Sequence, residues 1–270
     1  MRPWQSRSRS ARPRTWLVRG LALWLLSLPI CAAERWQREE YLIQSFMEIA
    51  MKREYGHEKT VRFSRWHAPI RLKLINEFGD KPLQAEMVRV QSRHLARITG
   101  HPIEMVSSNP NLTLIMTRHQ QMPEWARRTM RQDESVRIAL KEGICLANFA
   151  TNDRHEIARA TIIIPVDYSR AKGRFLDCVV EELTQVMGLP NDSDKVFPSI
   201  FNDRSVDSFP TGLDYLLLKL AYHPALHSGM TADEVRKALP AALKTLRANG
   251  DIAQASQRVQ VDSLRRWAGL

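Results

Sequence analysis

Glycine is scarce in this 270-residue chain, 11 residues in all, and no cluster of them forms the loop that cradles a phosphate. Serine nucleophile motifs of the G-x-S-x-G kind are absent. Eight histidines occur, but only His223 and His227 stand four apart, and Pro224 interrupts any helix between them. The chain therefore lacks two imidazoles one helical turn apart, the arrangement with which a helix grips zinc. No apolar run reaches the about 20 residues that a membrane-spanning helix needs. Internal repeats and low-complexity linkers are missing too, so the chain reads as one continuous unit.

Acidic residues are absent from residues 1–33, which carry Arg2, Arg7, Arg9, Arg12, Arg14 and Arg19. The apolar run Leu21 to Ile30 follows, then Cys31-Ala32-Ala33. A basic start, a short apolar core and a small-residue exit are the pattern of a secretory signal peptide. Cleavage is expected after Ala33, giving an exported chain, periplasmic or secreted, that starts at Glu34. Lipidation at Cys31 is disfavoured because bulky Ile30 stands where a small residue belongs. Removing the six arginines leaves 34 basic residues against 29 acidic ones, a net charge of about +5 in place of +11. That charge is ordinary for a soluble domain. Its members are interspersed rather than gathered in a stripe, which argues against nucleic acid as a partner.

Only Cys145 and Cys178 remain in the mature chain. In an oxidising compartment they favour one disulfide over the alternative of two buried thiols. Closing a loop of about 30 residues adds on the order of 3 kcal/mol in the chain-entropy account.

Periodicity supplies a coarse map. Leu42, Phe46, Ile49 and Ala50 form a helical stripe in 36–55, with Gly56 ending it. Ile70, Leu72 and Leu74 alternate as a strand, and Pro82 to Ile98 reads as a helix stopped by Gly100. Leu112, Leu114 and Met116 predict another strand, Pro123 to Met130 a short helix, and 145–150 and 158–166 two more strands. A helix is expected over 172–187. Thr211-x-x-Asp214 and Thr231-x-x-Glu234 read as capping boxes opening later helices. These elements predict an α+β domain over 34–270. It comprises a sheet lobe (34–171), a cleft helix with a C-terminal lobe (172–249), and a tail (250–270) that attaches loosely.

The most informative stretch is Glu181-Glu182-Leu183-Thr184-Gln185-Val186-Met187-Gly188-Leu189. Glu181 and Gln185 share one helix face, with Glu182 beside it. Cys178, one turn earlier, lies on the same side, so that a disulfide would anchor this helix to the Cys145 strand. The surrounding segment resembles the catalytic half of the metzincin metallopeptidases. A buried strand (Ala160 to Val166) precedes the helix, Gly188 makes the turn, and Asn191 falls at the third ligand position. Ser199-Ile200-Phe201 stands near the methionine turn, and Thr211 to Tyr222 matches the closing helix.

A closer similarity is to an uncharacterised bacterial exported family, domain-of-unknown-function family 2927. It is carried by Glu181 to Gln185, Gly188-Leu189-Pro190-Asn191-Asp192-Ser193, Pro198-Ser199-Ile200-Phe201-Asn202-Asp203, Tyr222-His223-Pro224 and Gly229-Met230. The resemblance implies a zincin-like fold: a mixed twisted sheet, flanking helices and a central active-site-type helix. Where zinc ligands would stand, this chain has Glu181, Gln185 and Asn191, and a neutral amide is a poor ligand for zinc. Asp192, Asp194 and Asp203 offer oxygens, but their spacing is not that of a calcium loop, so no metal or other cofactor is expected. The expected role is a non-catalytic binding or assembly module at the cell envelope. Its cleft would be formed by Glu181, Glu182, Gln185, Asn191 and Asp192, and its partner would be a protein, peptide or envelope ligand. The alternative is an atypical hydrolase, metal-dependent or metal-free, with Glu182 as general base.

Overall fold

Alternating apolar residues build the sheet on which everything else is mounted. The computed structural model describes residues 34–53, 61–202, 204–205 and 207–270; the expected leader with Cys31, Gly56 and Asp203 lie outside the described residues. The strands are β1 (Ile70–Asn76), β2 (Ile103–Met105), β3 (Leu112–Thr117), β4 (Leu146–Thr151) and β5 (Ile157–Pro165). Their order is β2-β1-β3-β5-β4, with β2, β1, β3 and β5 parallel. Strand β4 runs antiparallel to β5 and forms an edge.

Successive side chains on a strand point to opposite faces. Leu72, Leu114, Ile162 and Ile164 therefore enter the main core, while Ile115 and Ile163 join Leu146 in a smaller core on the other face. The run Thr161 to Ile164 is buried throughout because both faces are covered.

Helices α1 (Glu39–Ala50), α2 (Lys81–Thr99), α3 (Met122–Thr129), α4 (Glu134–Glu142), α5 (Val166–Ala171), α6 (Phe175–Gln185), α7 (Gly212–Ala221) and α8 (Ala232–Ala248) flank the sheet and complete the core. Two one-turn helices follow, α9 (Ala255–Arg258) and α10 (Leu264–Trp267). The architecture is α+β. Local signals set several ends. Asp80 accepts a hydrogen bond from the Leu83 amide at the start of α2, and Gly100, at φ 70°, stops it. Both capping boxes form, at Thr211 and Thr231. Helices α3 and α4 cover the smaller core through Met122, Ala126, Val136 and Ala139.

Three expectations change. The helix expected over 172–187 is shorter, α6 (Phe175–Gln185), because Gly173 takes φ 71° and separates it from α5, which ends at Ala171. The expected division into sequence-contiguous lobes also gives way, since α1 packs against α7 and α8 from the other half of the chain. Nor is the tail loose. Ala255, Val259 and Leu264 are buried, and Arg97 of α2 donates to the carbonyls of Arg258 and Val261.

His94 makes the third tether of that tail, its Nε2 lying 2.8 Å from the Val259 carbonyl oxygen. Burial, with Arg97 nearby, lowers its pKa to about 4. The unfolded chain then binds a proton below pH 6.5 that the folded chain takes up only near pH 4. This contribution to stability is complete above pH 6.5 and is lost as pH falls toward 4. Asp214 works in the opposite direction, its carboxyl being raised to about 6 by burial, so the His94 effect is read as a difference between proteins. The stability advantage of wild type over His94→Gln should shrink by roughly 2–3 kcal/mol between pH 7 and pH 4.5 in urea titrations. An advantage independent of pH would contradict the assignment.

Candidate functional site

Helix α6 is held from both ends. The Cys145–Cys178 disulfide joins its second turn to the residue preceding β4, with the two Cα atoms 5.9 Å apart. Val179, Val180 and Leu183 bury its apolar face in the main core, as their helical spacing requires. Beyond the helix the chain turns sharply through Val186, Met187 and Gly188. Trp66 Nε1 donates to the Val186 carbonyl at 2.8 Å, and the Tyr222 hydroxyl donates to that of Met187 at 3.0 Å. Gly188 has φ 109°, and a Cβ there would lie 2.4 Å from the Ser64 carbonyl oxygen. The segment containing Ser64 and Trp66 can cross the helix exit only because that side chain is missing. Arg65 fixes the same segment by donating to the carbonyls of Ala221 and His223.

The opposite face of α6 borders a cavity of about 260 Å³ lined by Glu181, Glu182, Gln185, Asp192, Asp177 and Glu142 among others. Glu182 is 7% exposed and Gln185 8%. Gln185 Nε2 donates to Asp192 Oδ1 at 2.9 Å, while Arg174 reaches Asp177 at 2.9 Å and Glu181 at 3.9 Å. Four of the five expected cleft residues thus meet. Asn191 does not line this cavity. Its Nδ2 donates to the Glu48 and Asp192 carbonyls and its amide to Ile49, so it ties the loop after α6 to α1. Among the described residues, no three His, Cys, Asp or Glu side chains come together as a set that could hold a metal ion.

Beside this hollow, and sharing Leu146, Ala147 and Gln185 with it, runs a groove of about 580 Å³. All six residues of β4 line it, with α4 on one side and Arg62, Ser64, Val186 and Pro190 across from the strand. The sheet register shows what the strand presents. The Ala160 amide donates to Asn111 on the β3 side, so the alternate residues Thr161 and Ile163 bond toward β4. Their partners are Asn148 and Leu146. The intervening Ala147 and Phe149 consequently turn their N–H and C=O groups to the open edge. Sequence reading missed α4, the wall of this groove, although Asp133 three residues before the Val136 amide it caps was a usable signal.

The loop opposite α6's exit is organised by Asp214, which the sequence shows only as a capping-box residue. Its buried carboxylate accepts from Ser199 Oγ at 2.6 Å, the Thr211 amide at 2.7 Å and the Ile200 amide at 3.2 Å. Desolvation nonetheless pushes its carboxyl up to about 6. Phe201 and Ile200, near the expected methionine-turn position, are buried in the main core.

Fold and site together define an α+β protein whose polar hollow adjoins a groove beneath an open sheet edge. The profile described as Protein of unknown function (DUF2927) matches residues 39–241, and the chain belongs to that family. No curated protein and no solved structure matches it.

Gly188→Ala should cost more than about 2 kcal/mol in chemical denaturation, combining left-handed strain with a clash against backbone. A change below about 0.5 kcal/mol would show that the Ser64 crossing is not tight. Replacing Cys145 and Cys178 together by serine should lower stability by about 3–4 kcal/mol, given the sequence separation of 33 residues. A variant as stable as wild type would refute the tether.

Proposed function

We propose that this protein is an exported, non-catalytic binding module of zincin-like architecture that takes an extended polypeptide along β4. One observation carries the reading: the whole of β4 borders the 580 Å³ groove, with Ala147 and Phe149 aimed at its open edge. A peptide added there gains main-chain hydrogen bonds from the strand and side-chain contacts from the groove walls. The zincin-like reading draws support from the mixed sheet with one antiparallel edge strand and from α6 below it, carrying Glu181, Glu182 and Gln185. Export is supported by the basic and apolar pattern of residues 1–33 and by the disulfide. No helix among the described residues is long and apolar enough to cross a membrane.

The test uses a fluorescent library of unstructured ten-residue peptides and two proline variants. Ala147→Pro removes an edge-facing N–H without touching the β4–β5 ladder, and proline is tolerated on an edge. It should retain the wild-type melting temperature within a few degrees and lose peptide binding at least tenfold. Asn148→Pro removes a ladder bond and should destabilise the fold instead. Peptide binding unaffected by Ala147→Pro would sink the proposal.

The hydrolase reading has one favourable observation, the near-complete burial of Glu182 in a hollow that opens beside the groove. Peptide cleavage by the purified protein, abolished in Glu182→Gln, would establish it and overturn the non-catalytic role. Intact peptides recovered after prolonged incubation with wild type would exclude it.

A further inference from the structure

Helix α2 and the C-terminal tail build a surface unlike the rest of the molecule. Six large hydrophobic side chains are exposed among the described residues, and five of them belong here. Leu83 lies on α2, Met105 on the edge strand β2 that packs beside it, and Val261, Trp267 and Leu270 in the tail, whose helix α10 also packs on α2. Trp267 keeps 43% of its surface exposed and Leu270 70%. Exposed apolar residues scattered singly need no explanation, but five of six in adjoining elements do.

The same elements gather arginine. Arg89, Arg93 and Arg97 stand four apart and form one row along the solvent side of α2. Arg265 and Arg266 are added by α10, which buries Leu264. The carboxylates that face them offset part of this charge: Glu86 pairs with Arg89 and Arg93, and Asp262 lies 3.9 Å from Arg97. Arg258 is balanced by Asp251, and Asp80 and Lys81 cancel where α2 begins. Glu104 of β2 points away. Its neighbours Ile103 and Met105 align with Ile70 and Leu72 on the main-core side, where α2 packs, so Glu104 shares the opposite face with Arg71. Five arginines against two carboxylates leave a positive surface, by a margin that one further carboxylate would not reverse.

Guanidinium groups and exposed tryptophan or leucine suit different depths of a single partner, an anionic lipid bilayer. Headgroup phosphates accept from arginine, tryptophan settles at headgroup level, and leucine and methionine reach the acyl boundary. A polyanion in water would use the arginines and leave the apolar side chains without contact. No helix among the described residues is long and apolar enough to cross a membrane, so the association is with its surface. We propose that the face formed by α2 and the tail docks on an anionic membrane, with Arg265 and Arg266 at the phosphates and Trp267 in the interface. Docking uses none of the groove residues, so it stands whether or not the groove takes a peptide.

The full mature protein is titrated with vesicles of phosphatidylcholine alone, or with about one-third phosphatidylglycerol, and binding is read by co-sedimentation. Anionic vesicles should bind roughly tenfold tighter than neutral ones or better, and the difference should fall severalfold as NaCl rises from about 0.05 to about 0.5 M. Arg265→Gln/Arg266→Gln should lose roughly tenfold in affinity for anionic vesicles, at an unchanged melting temperature. Trp267→Ala should lose about threefold or more on the same vesicles, and Leu270→Ser, at the more exposed position, reads the same loss where the tryptophan variant is less stable. Equal binding to neutral and anionic vesicles, or binding to neither, overturns the proposal. So does wild-type vesicle affinity in both Trp267→Ala and Leu270→Ser; retained binding of polyphosphate would then assign the surface to soluble polyanions instead.

Discussion

The groove exists because an edge strand and a helix from different parts of the chain are held at a fixed distance. The covalent link between Cys145 and Cys178 sets one side of that spacing, bringing α6 beneath the start of β4. The other side is set by a missing side chain, since Gly188 lets the Ser64 carbonyl approach the turn after α6. Between these two points α6 has little freedom to rotate or slide, and Glu181, Glu182 and Gln185 face the hollow rather than the core. Trp66 and Tyr222 then secure the same turn through hydrogen bonds to its backbone carbonyls, and Arg65 ties the crossing segment to the end of α7. A polar hollow in a small domain persists only where the surrounding backbone is prevented from collapsing into it.

The sheet adds the second constraint. The central parallel strands β3 and β5 are buried on both faces over most of their length, and the antiparallel β4 closes one side without closing its own outer edge. Open edges invite pairing with other chains, and proteins commonly blunt them. Here residues of α4 and of the segments carrying Arg53, Arg62 and Arg131 line the groove beside that edge, so it is bordered rather than flat. In the binding role proposed above, that groove would take one extended segment along β4. Glu181, Glu182 and Gln185 on α6 line the hollow beside the groove.

Much of the fold was legible in the chain. Isolated alternation marked β1 and β3, the β-branched run marked β5, and the glycine at 100 and the two threonine capping boxes marked helix ends, since each depends on neighbours within a few residues. The motif from Glu181 to Leu189 likewise announced a helix and a turn, and residues 39–241 match a family profile. The short helix α4 escaped notice because its nine residues bury only Val136 and Ala139 fully, too few to give a clear stripe. The helix expected over 172–187 was drawn too long because helical periodicity continues across Gly173, whose left-handed backbone sequence spacing cannot display.

Local spacing and side-chain chemistry were enough for most of the helices and strands, for the absence of paired zinc imidazoles and for the residue types at the α6 motif. Only the tertiary structure decided that Gln185 meets Asp192 while Asn191 turns away to bind the backbone of α1. It alone placed Asp214 under the Ser199 loop and brought arginines from three separate segments to the groove that β4 lines. Those juxtapositions join residues from seven to more than a hundred positions apart, across turns and separate elements, and no periodicity within a short window records which partner a side chain will find.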